Sequence, residues 1–261
     1  MARSTGLRPL NALLSAWAWV ALMSVATVGF VLQLILVPLT WPFDSRRLVT
    51  GRLFRWVGVV ISSLSPFWYF RVEGEVPRRI AGKTVVVGNH ESQADPFLIS
   101  HLPWEMKWIA KASLFRVPII GWSMWLAGDI PIRRGEQSSA KGAIATCRRW
   151  LEKGMPVMFF PEGTRSQTDE LLPFKDGAFR LAIDAQADVL PIAVSGTRKS
   201  LPKHSWRFQR AEARVMVGVP ISTRGMGPAD LEPLRERARR EILALRALLK
   251  AQLEQPKELK L

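Results

Sequence analysis

The chain has 261 residues, with 37 Lys and Arg against 22 Asp and Glu, for a formal net charge of +15. That length holds one domain with an appendage, and a composition 48% hydrophobic and 23% charged excludes a disordered or low-complexity chain. One cysteine, Cys147, excludes an intramolecular disulfide framework and fits a reducing compartment, and three histidines are too few for a zinc-finger reading. The charge excess calls for an anionic counterpart: nucleic acid, phospholipid headgroups or a phosphorylated substrate.

Between Arg8 and Asp44 lie 35 residues without a formal charge. Within them, the 25 residues from Leu13 to Val37 would form a helix of about 37 Å, enough to cross a hydrocarbon core of about 30 Å. Trp17 and Trp19 near one end and Trp41 near the other are placed as interfacial anchors. A secretory signal peptide is the competing reading, with Arg3 and Arg8 as its basic region. The run exceeds the roughly 7–15 residues of a signal core and no small-x-small site follows Val37, so a retained membrane segment is favoured. Arg46, Arg47, Arg52 and Arg55 outnumber the two arginines that precede the segment, so the positive-inside bias puts the following domain on the cytoplasmic face. The stretch from Val57 to Phe70 is 14 residues long and contains Pro66, which is short for a span. Two readings stand for it, a re-entrant or interface-lying helix and a core helix of the next domain.

From about residue 70 the pattern alternates short apolar strands with amphipathic helices. Strands are predicted at 69–73, 84–88, 107–110, 130–133, 155–160, 189–194 and 213–219, and helices at 95–101, 119–127, 138–153, 177–187 and 228–254. The expected fold class is α/β, a mixed sheet flanked by helices, with N-terminal membrane-anchoring helices over 1–68, the α/β domain over 69–254 and a frayed tail over 255–261. In the last helix Leu231, Leu234, Ala238, Ile242, Leu245, Leu249 and Leu253 make one apolar stripe, with Arg235, Arg239, Arg240, Arg246 and Lys250 mostly off it.

The strand at 84–88 runs into Asn89-His90-Glu91-Ser92-Gln93-Ala94-Asp95-Pro96. Asp95 and Pro96 read as the N-cap and first residue of a helix, which leaves His90 in the preceding loop. A turn there can fold the imidazole back onto the Asp95 carboxylate, which would fix the tautomer and leave the other ring nitrogen to accept a proton. By itself a His-x4-Asp spacing is weak, since it arises by chance in about one chain of this composition in eleven. A second constellation, Phe160-Pro161-Glu162-Gly163-Thr164-Arg165-Ser166, follows the strand at 155–160; its glycine permits close backbone approach, and Thr-Arg offers a hydroxyl and a guanidinium to a phosphate. Alone, it is a polar turn.

Taken together these residues resemble the 1-acylglycerol-3-phosphate O-acyltransferase family, the PlsC-like glycerolipid acyltransferases. NHESQAD at 89–95, GDIPIRR at 128–134, FPEGTRS at 160–166 and VLPIAV at 189–194 match four family blocks in order, and KASLFRVPIIGW at 111–122 and PFKDGAFRLA at 173–182 are similar to family segments. The resemblance implies that His90 is the general base and Asp95 its orienting partner. It implies that Glu162, Gly163, Thr164 and Arg165 bind the glycerol phosphate, with Arg134 or its neighbour Arg133 and Lys111 adding charge, and that Pro191 shapes the acyl-donor side. The implied reaction moves an acyl group from acyl-CoA or acyl-carrier protein to lysophosphatidic acid, a membrane lipid, giving phosphatidic acid with no metal, no other cofactor and no nucleic acid. Backbone N–H groups around Gly163–Thr164 are candidates for stabilising the oxyanion, with their direction left to the structure. Inside the first block the family's usual aromatic or Asn residues are replaced by Glu91, Ser92, Gln93 and Ala94. Lyso-ornithine lipid or another lysophospholipid could serve the same pair. An esterase lacks a Gly-x-Ser-x-Gly elbow here, a nucleotide hydrolase lacks a Walker loop, and a binding module without activity leaves the His-Asp pair unexplained.

Overall fold

A computed structural model describes residues 7–80, 83–202 and 205–254. The tail expected at 255–261 lies outside the described residues. Seven strands, β1 (Trp68–Glu73), β2 (Thr84–Gly88), β3 (Lys107–Lys111), β4 (Ile130–Ile132), β5 (Val157–Phe159), β6 (Asp188–Ser195) and β7 (Ala211–Val217), form one sheet in the order β1-β7-β6-β2-β5-β3-β4. Every neighbouring pair is parallel except β6 and β7. The strand alternation fills two cores. Val85, Val87, Val157 and Val189 face α5 (Gln137–Glu152), α6 (Gly177–Ala185) and α7 (Leu231–Glu254), whereas Val86, Met158, Leu190 and Ile192 face α3 (Asp95–Ile99) and the Leu102–Trp108 segment. A short α4 (Ile120–Ala127) precedes β4.

Two helices precede the sheet, α1 (Leu7–Thr40) and α2 (Leu48–Leu64). Helix α1 buries one stripe of mostly small residues, Ser15, Ala18, Leu22, Ala26, Gly29 and Gln33, at steps of three and four. A Cβ on Gly29 would lie 2.3 Å from Val57 Cγ2, so glycine is what lets α1 and α2 touch. Docking runs the length of the helix: Asn11 Nδ2 donates to Phe208 O, Trp19 Nε1 to Trp206 O, and Gln33 Nε2 to Thr50 O at 3.0 Å. The opposite face exposes Leu13, Trp17, Val20, Val28, Val31, Leu34, Ile35 and Leu39.

The stretch Val57–Phe70 is not a single helix, although its helical part packs Val57 and Ile61 into a buried cluster, as the core-helix reading expects. Its first half completes α2, which begins earlier, at Leu48; the chain breaks at Ser65-Pro66, and from Trp68 it is strand β1. Proline at 66 lacks the N–H needed to continue the helix. Of the four arginines behind α1, Arg55 turns inward to pair with Asp129, and Arg47 donates to Trp125 O.

Candidate active site

Residues from five strands reach the site because β6, β2, β5, β3 and β4 are consecutive and parallel, so their C-terminal ends share one edge. Thr197 follows β6, His90 follows β2, Glu162 to Arg165 follow β5, Lys111 closes β3, and Arg134 follows β4. Ligands of open α/β sheets bind outside that edge.

Asp95 is fully buried and is the hub of the loop after β2. Its Oδ2 accepts from His90 Nδ1 at 2.7 Å, Glu91 N at 2.7 Å and Ser92 N at 2.9 Å, and its Oδ1 accepts from the Thr197 hydroxyl. The expected N-cap role is corrected: Asp95 is the first residue of α3, and its carboxylate turns back onto the preceding loop instead of capping its own helix. Because a carboxylate only accepts, Nδ1 of neutral His90 carries the proton and Nε2 is left with its lone pair. The imidazole stacks on Phe160 with ring centroids 4.1 Å apart and an interplanar angle of 16°. Main-chain bonds fix its position further, from His90 N to Glu162 Oε1 at 2.8 Å and from Ser166 N to His90 O at 2.9 Å.

Glu162 is therefore placed differently from a ligand contact. Its second oxygen accepts from Leu172 N at 2.9 Å, so both carboxylate oxygens tie loops together, and burial raises its pKa against the pull of those N–H donors. Gly163 has φ +70°, and a Cβ there would sit 2.8 Å from Lys175 Nζ; its bare backbone makes room for that ammonium. The Gly163 N–H closes a turn onto Phe160 O at 2.9 Å, which removes it as a candidate for stabilising the oxyanion. Thr164 is exposed at the turn. Pro191 is buried within β6, paired with Val87, and does not line the cleft.

Phe160 also forms a wall of a cleft of about 420 Å³ whose floor is apolar, including Ile109, Ile132, Ala143, Ile144 and Ala178. Lys111, Arg133, Arg134 and Lys175 stand around it. Arg133 is engaged by Glu136 at 3.3 Å, whereas Lys111, Arg134, Arg165 and Lys175 have no carboxylate partner among the described residues. Partial burial, and after it the charge of Arg165, hold Arg134 below the ordinary arginine range. Cations without a carboxylate partner suit an anionic ligand. Burial pushes the Cys147 thiol up to about 12, so it is inert as a nucleophile.

The family described as Acyltransferase matches residues 69–195, from β1 to the end of β6. The chain is 37% identical over 189 residues to a 1-acyl-sn-glycerol-3-phosphate acyltransferase of Chlamydomonas reinhardtii, covering 71% of this chain and 55% of that protein. It is 36% identical over 165 residues to 1-acyl-sn-glycerol-3-phosphate acyltransferase alpha of Homo sapiens, covering 62% and 58%. The chain carries an acyltransferase domain over residues 69–195, and around it is similar to these relatives. It spans a little over half the length of these two relatives. The fold of this chain matches the crystal structure of the 1-acyl-sn-glycerophosphate (LPA) acyltransferase PlsC from Thermotoga maritima, with a TM-score of 0.76 at 21% identity over 96% of this chain and 99% of that one.

Three contributors to the site are not legible in the sequence pattern: Thr197, Lys175 and the stacking role of Phe160. Lys175 and Phe160 lie within segments that resemble the family, so the signal was present without an assignment. Nothing in the spacing pointed to Thr197, which is 102 residues from Asp95.

Proposed function

We propose that this chain transfers an acyl group from a thioester donor, acyl-CoA or acyl-carrier protein, to the free hydroxyl of 1-acylglycerol-3-phosphate, giving phosphatidic acid. The observation that carries this reading is the His90–Asp95 pair, whose imidazole stacks on Phe160 in the wall of an apolar cleft lined by Lys111, Arg134 and Lys175, none of which has a carboxylate partner among the described residues. In this reading the acceptor phosphate is held by Lys111, Arg134, Arg165 and Lys175. His90 Nε2 takes the hydroxyl proton as the oxygen attacks the thioester carbonyl. Collapse of the tetrahedral intermediate breaks the C–S bond, and the imidazolium returns the proton to the departing thiolate. Asp95 stabilises the imidazolium between these steps. General-base catalysis of this kind contributes about 10²–10⁴-fold, and juxtaposition of the two substrates supplies much of the remainder. Glu162 holds the His90 and Leu172 loops in register.

The relatives' printed names support the acceptor, and the unpaired cations support a phosphate headgroup over a lyso-ornithine lipid, which has none. The outer face of α1, lined by Trp17, Val20, Val28, Val31 and Leu34, would lie in lipid while the inner face keeps the α/β domain against it. Arg46 and Arg52 remain outward as the basic flank, which favours the cytoplasmic side for the domain.

The test is an acceptor screen with the purified full chain in detergent, one labelled acyl thioester, and lysophosphatidic acid, lyso-ornithine lipid and other lysophospholipids. Turnover is expected with lysophosphatidic acid, at least about tenfold above phosphate-free acceptors, for the loss of charge-assisted hydrogen bonds. Thioester hydrolysis that ignores every acceptor, or equal rates with phosphate-free lipids, would overturn the reading. Flotation with liposomes, lost on replacing the exposed residues of α1 by Ser, tests the membrane contact.

A further inference from the structure

We propose that Arg246, on the C-terminal helix, is a positioning residue for the His90–Asp95 pair and acts through Glu91. The sequence pattern puts Arg246 off the apolar stripe of α7; the structure puts it on the stripe. The buried residues of that helix are Leu234, Ala238, Ile242, Arg246 and Leu249, and Arg246 is 4% exposed. Its Nε and one Nη donate to the same Glu91 oxygen at 3.1 and 2.7 Å, and the other Nη donates to Asp169 O at 2.7 Å.

Glu91 stands between His90 and Asp95 in the chain, and its side chain reaches Arg246 of α7. It is fixed at both ends. The carboxylate is clamped by Arg246, and the backbone N–H donates at 2.7 Å to Asp95 Oδ2, the oxygen that also receives His90 Nδ1. The other oxygen of Asp95 is reached from the same cluster. Thr197 donates to Oδ1, and its chain neighbour Arg198 lies 3.6 Å from the clamped Glu91 oxygen and pairs with Asp169. Lys250, one turn beyond Arg246, pairs with Asp169 at 3.4 Å. Burial and the Asp95 charge push the Glu91 carboxyl up, and the Arg246 guanidinium opposes them.

A buried ion pair adds little net stability over an apolar pair of the same volume, but it fixes direction. Here the direction fixed is that of the N–H on Asp95. Helix α7 lies after the last strand and outside the family match at 69–195, so this contact ties the chain's C-terminal helix to its reacting loop.

The inference rests on the acyl-transfer reading of His90, and the test separates the two. Full-length Glu91→Gln, Arg246→Met, the double variant and Arg246→Lys are assayed with 1-oleoylglycerol-3-phosphate and an acyl thioester. A displaced reacting group costs up to about 10²-fold, so each single variant should lose about 10–100-fold in kcat with both KM values within about threefold. The double variant should be no worse than the poorer single, and Arg246→Lys should recover at least about tenfold over Arg246→Met. Losses confined to KM, additive losses in the double variant, or singles within about twofold of wild type would overturn it. If Arg246→Met fails to fold by circular dichroism, the near-isosteric Glu91→Gln decides alone by the same limits. A second readout needs no turnover: the hydrogen-bonded imidazole N–H proton of His90, identified by its loss in His90→Ala, should exchange away in Glu91→Gln, and its persistence there would overturn the proposal. A wild-type chain inert toward every acceptor would sink the acyl-transfer reading, and the N–H resonance would then decide the positioning role.

Discussion

Asp95→Asn isolates the charge of the dyad from its geometry. Oδ2 accepts three N–H donors, from His90, Glu91 and Ser92, while Oδ1 faces a hydroxyl that can rotate. The amide can therefore put its oxygen where Oδ2 was and its NH₂ toward Thr197 Oγ1, keeping all four contacts and the tautomer of His90. What it removes is the negative charge beside an imidazolium. With charge centres about 4 Å apart and an effective dielectric constant near 20, that attraction is about 4 kcal/mol. If all of it is expressed in the transition state, kcat falls about 10³-fold while both KM values stay within about threefold. The assay is initial-rate acyl transfer in mixed micelles under saturating acceptor and donor, with thermal unfolding to confirm that the variant folds. An Asn variant within about tenfold of wild type would refute the stabilisation of the imidazolium by the Asp95 charge, as would a loss carried by KM.

Three further outcomes follow from the geometry. Arg165→Ala and Lys175→Ala should each raise the acceptor KM about 10–100-fold and the thioester KM little, as expected for one charge-assisted hydrogen bond; equal effects on both substrates would count against a phosphate contact. Glu162→Ala removes the acceptor of two partly buried N–H donors, at up to about 1 kcal/mol each, so it should lower Tm and kcat and leave the acceptor KM nearly unchanged; a KM effect alone would restore Glu162 as a ligand contact. Burial holds the His101 imidazole below the ordinary histidine range, where its Nε2 lies 3.0 Å from Ser62 Oγ between α2 and the sheet. A depressed folded pKa means the unfolded chain binds the proton more readily, so stability is present above the ordinary value and is lost as pH falls through the lowered one. His101→Gln should therefore show a shallower fall in Tm between about pH 7 and 5 than the parent chain; parallel curves would refute this.

The local pattern settled most of the elements. Alternating apolar runs placed all seven strands, and the amphipathic stripes placed α5 to α7, because side-chain period follows directly from backbone geometry. It also brought His90 and Asp95 together, since both lie in one loop only five residues apart. It failed where one stretch changed structure, at Ser65-Pro66, because apolar content there serves a helix and a buried strand equally. What only the tertiary structure decided was which distant residues share an edge. Parallel neighbours β6, β2 and β5 set Thr197 on Asp95 and Phe160 on His90, a consequence of strand order that no local period encodes. Periodicity likewise assigned Arg246 to solvent because it reads charge as exposure. Whether a charged side chain turns inward depends on a partner, and that partner, Glu91, lies 155 residues away.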